Sequence, residues 1–330
     1  MKRSRVALPT LLLSGCVSHP LSYLDHTDSG AADRIRILGL GFSAIAIAVT
    51  LIITLLIGLA IVRGRRRLRA EGDQVGRDMA GLHWIYWGVG ISFPILVAMA
   101  VWNFVVTRAV ADPPRTPPLT VEITAHRWWW EIRYLDQQHS NGVLLTANDL
   151  VLPVGVPVKI ELRSADVIHD FWVPKLGPKM DVVPGRTNVT WIEADHIGSY
   201  RGQCAEYCGL EHARMAFTVQ ALAPAAFVQW RSAQLAPAAP PVSAGRTLFA
   251  TACAACHTVR GTEAAGILGP DLTHFASRPT IAAGVLPNTV AGRLKWLGDT
   301  QGVKPGALMP QVPLSDTDRQ AVVRYLGSLR

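Results

Sequence analysis

Residues 204–215 read Cys204-Ala205-Glu206-Tyr207-Cys208-Gly209-Leu210-Glu211-His212-Ala213-Arg214-Met215. Two thiols, an imidazole and a thioether fall within a dozen residues. A cysteine pair alone is often redox-active or zinc-binding. Zinc seldom recruits a methionine, whereas thiolate, imidazole and a weak thioether together are the donors of copper electron-transfer sites. The set lacks a second imidazole, which is expected from an earlier strand.

Outward from this loop, residues 119–222 show short β-branched runs: Leu119–Thr124, Val156–Leu162, Asn188–Ile192 and Phe217–Ala221. Turn signals at Asn141-Gly142 and Pro184-Gly185 divide them. This is the pattern of an all-β sandwich or small barrel, and a soft-ligand loop between its last strands resembles the cupredoxin fold. Asp112-Pro113-Pro114-Arg115-Thr116-Pro117-Pro118 is a stiff linker before the β segment, which is taken as residues 112–232. A Pro/Ala linker over 233–242 follows it. From Ser243 to the end at Arg330 the sequence turns helical, closing on a helix over Ser315–Leu329 that Ser315 can cap, with Asp316 and Asp318 in its first turn.

Within that helical part, Cys253-Ala254-Ala255-Cys256-His257 is the C-x-x-C-H signature of covalently attached haem c. Both thiols would form thioethers and His257 one axial bond to iron. Gly269-Pro270-Asp271-Leu272, Trp296-Leu297 and Lys304-Pro305-Gly306-Ala307-Leu308-Met309-Pro310 follow. They resemble a small, all-α class I cytochrome c domain in which the methionine before proline, here Met309, is the sixth ligand. A surface-loop role is the alternative for Met309. Trp296 and Tyr325 are expected to pack around the macrocycle.

The N-terminal third differs in kind. Residues 1–15 hold a basic start (Lys2, Arg3, Arg5) and a short apolar stretch, Val6–Leu13, too short to span a bilayer. Leu13-Ser14-Gly15-Cys16 resembles a bacterial lipobox, which makes Cys16 a candidate for lipidation; an ordinary signal with an incidental cysteine is the alternative. Two charge-free runs within residues 16–111, about 37–62 and 82–107, are each long enough to cross a membrane, and Trp84, Trp87 and Trp102 stand near the ends of the second. Although 49% of the 330 residues are hydrophobic, the excess lies in these two runs. The formal net charge of +8 does not signal nucleic acid, because Arg63, Arg65, Arg66, Arg67, Arg69 and Arg77 cluster between the runs. An arginine-rich loop stays cytoplasmic, which places the N-terminus and residues 112–330 outside. The five cysteines divide into Cys16, the 204/208 pair and the 253/256 pair, so no structural disulfide is expected.

Upstream of the cysteine loop stand Asp166-Val167-Ile168-His169-Asp170-Phe171-Trp172-Val173-Pro174, Lys179-Met180-Asp181-Val182-Val183-Pro184-Gly185-Arg186 and His126-Arg127-Trp128-Trp129-Trp130-Glu131. With residues 204–215 they resemble subunit II of the haem–copper respiratory oxidases, from about residue 35 to 222. The appended haem domain points to the cytochrome-fused (caa) type of cytochrome c oxidase. The resemblance implies a dinuclear copper A centre with Cys204 and Cys208 bridging, His169 and His212 terminal, and Met215 and the Glu206 carbonyl as weak ligands. It also implies a magnesium ion facing the Glu206 side chain at the contact with catalytic subunit I. Trp128 corresponds to the residue through which electrons enter, packing being the alternative for Trp128–Trp130.

The implied partners are subunit I and the other oxidase subunits, a cytochrome c or another periplasmic donor, and the bacterial inner membrane, crossed more than once. The implied role is electron delivery, since the chain lacks the histidine array of an oxygen site. A copper A subunit of a nitric oxide reductase, or a freestanding tethered carrier, are the alternatives. His126, His139, His196 and His274 have no ligand partners at suitable spacing and read as structural or surface residues. The family's glutamate near the start of the second helix is not evident; His83 stands near its place and is given no role.

Overall fold

The computed structural model describes residues 26–71, 81–135, 143–238 and 243–330. The signal segment, Cys16, Arg77, His139 and the Asn141-Gly142 turn lie outside the described residues. Two long helices come first, α1 (Gly30–Glu71) and α2 (Leu82–Ala111). Both are long and apolar enough to cross a membrane, and their apolar side chains face outward with little protein cover. Each runs past its charge-free stretch. Arginine is a good helix former, so α1 continues through the basic segment, and at its start Ser29 Oγ accepts from the Ala32 amide at 3.1 Å. The helices touch where a Cβ on Gly41 would meet the Trp102 ring at 2.3 Å, a close approach that a small residue permits.

The hairpin is stitched to the domain above it. Ser29 Oγ donates to Leu176 O at 2.5 Å and the Asp28 amide to Lys175 O at 2.9 Å. From the other helix, Val110 O accepts the Trp191 indole N–H at 2.9 Å.

That domain is a sandwich of two five-stranded sheets. One holds β1 (Leu119–His126), β2 (Trp129–Leu135), β3 (Leu144–Ala147), β5 (Val158–Ser164) and β8 (Asn188–Ile192), in the order β3-β2-β1-β5-β8. The other holds β4 (Asp149–Pro153), β6 (His169–Trp172), β7 (Met180–Val182), β9 (Gly198–Cys204) and β10 (Ala216–Leu222), in the order β4-β10-β9-β6-β7. Strand β1 alternates buried and half-buried side chains, the period of two that puts Val121, Ile123 and Ala125 into the core. At its centre Phe171 stacks on Phe217 at 4.9 Å, and Trp130 meets Phe217 edge-on at 5.3 Å. A Cβ on Gly202 would strike the Phe217 ring at 2.2 Å, so glycine lets β9 close over this cluster.

Strand β4 is buried along its whole length because α3 (Pro224–Leu235) covers it. The helix opens with proline in its first turn, where no amide donor is needed, and extends into the stretch expected to be linker. Arg260 of the C-terminal domain donates to Leu235 O at 3.2 Å and Gln234 O at 2.6 Å, fixing the helix end. That domain contains α4 (Ala244–Ala252), α5 (Val290–Gly298), α6 (Thr300–Val303) and α7 (Asp316–Ser328), with a two-stranded ribbon, β11 (Thr280–Ile281) and β12 (Leu286–Pro287), between α4 and α5. Ser315 caps α7 by accepting from the Asp318 amide at 3.1 Å. Phe249, Val322, Val323 and Tyr325 form the centre of its core.

Asp149, at the start of β4, is buried and accepts two bonds from Gln220 Nε2 at 2.8 and 2.9 Å. Burial pushes its carboxyl from 3.8 up to about 6, against the Gln220 bond and the charge of Arg278. Because the folded carboxyl holds its proton more tightly than the unfolded one, this group's contribution to stability is fully present below about pH 4 and is lost as pH rises through about 6. At about 1.4 kcal/mol for each tenfold change in proton affinity, this contribution has a ceiling of about 3 kcal/mol. Asp149→Asn should remove this part of the slope. Denaturation curves of wild type and variant at pH 4 and pH 7 check it: the variant gains stability relative to wild type only at the higher pH.

Candidate metal and haem sites

The cysteine loop lies between β9 and β10, and its donors come together with one from β6. Cys204 Sγ is 3.7 Å from Cys208 Sγ, 3.8 Å from His169 Nδ1 and 3.3 Å from Glu206 O. Cys208 Sγ is 3.7 Å from His212 Nδ1 and 3.8 Å from Met215 Sδ. The pairing of β6 with β9 sets Phe171 opposite Cys204, which brings His169 to the cysteine 35 residues away in sequence. Cys204, Cys208, His169 and Met215 are all buried. The bond from the Cys208 thiol, with help from His169, brings Cys204 down to about 4; the same coupling to Cys204 and burial push Cys208 up. The pair therefore shares a proton that a metal would displace. Two thiolates, two imidazoles, a thioether and a carbonyl are a soft donor set, and they fit copper.

Each donor is held from behind. His169 Nε2 pairs with Asp166 Oδ1 at 2.8 Å, leaving Nδ1 toward the sulfur. Asp166 also accepts the amides of Arg127 and Val167, each at 2.7 Å. Gln203 Nε2 donates to His212 O at 3.3 Å. The Trp128 indole N–H donates to Cys208 O at 3.0 Å.

In the helical domain α4 ends at the haem signature, where the His257 amide donates to Cys253 O at 3.0 Å. His257 Nδ1 faces Pro270 O at 2.8 Å, which directs Nε2 away as an iron ligand requires. Burial lowers the His257 pKa, favouring the neutral, ligating ring. A Cβ on Gly269 would meet that ring at 2.6 Å, so the 269–270 turn cradles the imidazole. Cys253 and Cys256 are half-buried free thiols, and burial raises Cys253 to about 11. Met309 is half-buried against the domain core. Ile267, Leu268 and Leu308 flank these motifs as exposed apolar side chains, suited to a large planar apolar group. The residues fit haem.

Residues 119–222 match the family "Cytochrome C oxidase subunit II, periplasmic domain", and residues 242–330 match "Cytochrome c". Cytochrome c oxidase subunit 2 of Alkalihalophilus pseudofirmus is 34% identical over 97% of this chain and 94% of its own length. This chain belongs to the cytochrome c oxidase subunit 2 family. The subunit 2 of Bacillus subtilis is 28% identical over 98% of this chain and 96% of its own. Among solved structures, the periplasmic domain of subunit II of cytochrome oxidase of Bradyrhizobium japonicum is 31% identical over 36% of this chain and 95% of its own, with a TM-score of 0.34.

Read as a subunit 2, the chain has a cupredoxin-like sandwich, a helical cytochrome c domain and a membrane anchor of apolar helices. His169, Cys204 and Cys208 place their donor atoms within 4.8 Å of one another, with His212 and Met215 beside Cys208 and the Glu206 carbonyl beside Cys204. Histidines set aside in the sequence do other work: His126 stacks on Trp129 at 4.3 Å, His196 pairs with Asp28 at 3.3 Å and His274 bonds to Ala236 O at 2.9 Å. Three supporting residues have roles that the sequence motifs do not state. Asp166 orients His169. Gln301 clasps the methionine loop, donating to Ala307 O at 2.9 Å and Met309 O at 3.1 Å and accepting from the Gly306 amide at 3.0 Å. Lys304 lies buried between the two extramembrane domains. Only the Asp166-x-x-His169 spacing, three residues apart, hints at any of these.

Proposed function

We propose that this subunit collects electrons from an external cytochrome c, or another periplasmic carrier, and delivers them to the oxidase's catalytic subunit, which reduces oxygen to water. The observation that carries this reading is the convergence of His169, Cys204, Cys208, His212 and Met215 in a chain that also bears a cytochrome c domain. When bound, dinuclear copper and covalent haem c supply reversible one-electron exchange. Cys204 and Cys208 would bridge the copper ions, His169 and His212 would terminate the set, and Met215 Sδ and Glu206 O would be its weak ligands. Cys253 and Cys256 would hold haem by thioether bonds, and His257 and Met309 would ligate its iron.

The protein's own part is to keep these donors in place and dry. Buried thiols, an imidazole fixed by Asp166 and a core of stacked aromatic rings leave little freedom to rearrange when charge changes. Glu206, Tyr207 and Leu210 are exposed at the tip of the cysteine loop and form the face toward the catalytic subunit, with the Glu206 carboxylate available to magnesium there. Trp128, hydrogen-bonded to Cys208 O, is where electrons enter. The arginine-rich end of α1 is cytoplasmic, both extramembrane domains are outside, and Cys16 carries lipid.

Purified with its partner subunits, the complex should consume oxygen with reduced cytochrome c as donor. It should contain covalent haem c and show a mixed-valence copper signal. A copper-free or zinc-loaded sandwich, or a preparation without a multi-helix partner, would overturn the assignment.

A further inference from the structure

Lys304 is a lysine with 3% exposure at the junction of the two extramembrane domains. Its ammonium donates to Trp128 O at 2.6 Å, Arg214 O at 3.2 Å and Ala282 O at 3.1 Å. An ammonium has three donors, and here all three are used on backbone carbonyls. Two of those carbonyls belong to the sandwich and one to the helical domain. Lys304 itself begins the loop that ends in Met309. Burying an unpaired charge is costly, so this side chain can occupy its place only while both domains supply the acceptors. Burial holds its pKa down to about 8, against the nearby Glu211.

The surroundings are shaped to the same contact. The Trp128 ring packs against two glycines, one from each domain: a Cβ on Gly209 would meet it at 3.2 Å and one on Gly306 at 3.3 Å. Both glycines have positive φ, +113° and +79°, so the backbone comes closer to the ring than a side chain would allow. Ala282 and Ala283 lie in succession in the left-handed region, φ 53° and 58°, a conformation that costs alanine energy and persists only where surroundings enforce it. That turn presents Ala282 O to Lys304 and Ala283 O to the amide of Ala216 at 3.1 Å, next in the chain to Met215. Arg214 closes the rim by donating to Val303 O at 3.2 Å.

We propose that Lys304 is a positioning residue that latches the methionine loop of the cytochrome c domain onto Trp128, fixing the tethered domain beside the copper loop. The inference rests on the electron route proposed above. With the latch closed Trp128 is 8% exposed, so a soluble donor cannot lay its own surface on that ring and must deliver to the tethered domain instead. Tethering alone raises the local concentration of the donor domain; the latch turns it into one defined geometry.

The test is Lys304→Met in the purified holo-complex, which keeps the length and loses all three donors. Amide hydrogen–deuterium exchange should quicken in segments 205–215 and 300–310 together, with segment 144–164 unchanged. Electrons photoinjected at the haem should reach the copper more slowly, on the order of tenfold or more, as misplacing reacting partners does. The absorption bands of both groups and the haem potential should stay at wild-type values. Wild-type exchange and rate in the variant would overturn the latch and leave the electron route standing. No transfer between haem and copper in the wild type would overturn the route, and exchange would still decide the latch. If Lys304→Met does not mature, Arg214→Ala removes the rim bond together with the 3.6 Å pairing of Arg214 with Glu211; faster exchange across 300–310 supports the latch and unaltered exchange there overturns it.

Discussion

Replacing Cys208 by serine is expected to abolish the near-infrared absorption of the mixed-valence copper pair and to lower copper content by at least half, with the haem bands intact. Cys208 Sγ is the hub of the donor set, within 3.8 Å of Cys204 Sγ, His212 Nδ1 and Met215 Sδ. A serine hydroxyl is a hard donor that keeps its proton at neutral pH, so it cannot hold two soft ions at once. The substitution leaves the Trp128 bond in place, because that bond ends on the Cys208 carbonyl rather than its side chain. A buried hydroxyl costs about 1–3 kcal/mol, less than the about 5–15 kcal/mol that typically stabilises a domain, so the sandwich should still fold. The cytochrome domain has its own core and is untouched. Copper analysis with visible and near-infrared spectra checks this, and an unchanged near-infrared band would refute the bridging role.

The second large effect concerns the haem. Met309→Ala should lower its potential by on the order of 0.2 V, part of the range of about 0.8 V that axial ligands span. A thioether opposite histidine favours the reduced iron and raises the potential. The main chain at Met309 is held by Gln301, so truncating the side chain should remove the ligand without opening the loop. For a one-electron couple about 59 mV is tenfold in equilibrium constant, so such a drop moves the balance between the haem and its donor by about three decades. The external donor would then scarcely reduce the haem. Redox titration of the haem band measures the change directly; an unaltered midpoint would mean that another residue is the sixth ligand.

The parts of the molecule that were legible from sequence are those whose chemistry is compressed into a few residues. The run 204–215 and the pentapeptide 253–257 announce their metals because several ligands must share one loop. His169 was different: residue spacing demanded an imidazole from an earlier strand, and only family likeness pointed to which one. Its partner Asp166 has no role legible from sequence, since a carboxylate three residues before a histidine is common. The roles of Lys304, which stands in the quoted motif before Met309, and of Gln301 were hidden for a stronger reason. Their partners are backbone carbonyls and amides, which carry no residue identity and exist as a set only after folding. Helix α3 ran on into the expected linker because Ala233 and Ala236, read as linker composition, also serve the end of a helix fixed by Arg260. The long α1 was underestimated for a related reason: freedom from charge marks what suits lipid, while helical backbone continues for as long as propensity and capping permit.

The attachment of the sandwich at both feet of the hairpin has a mechanical consequence. Bonds from Asp28 and Ser29 hold the start of α1 to residues 175 and 176, and Trp191 holds the end of α2. A body pinned at two points keeps only the rotation about the line that joins them, so the sandwich is braced against swinging in the other directions. Motion of the two helices is then passed to the sandwich, and with it to the cysteine loop, instead of being absorbed at the joint between them.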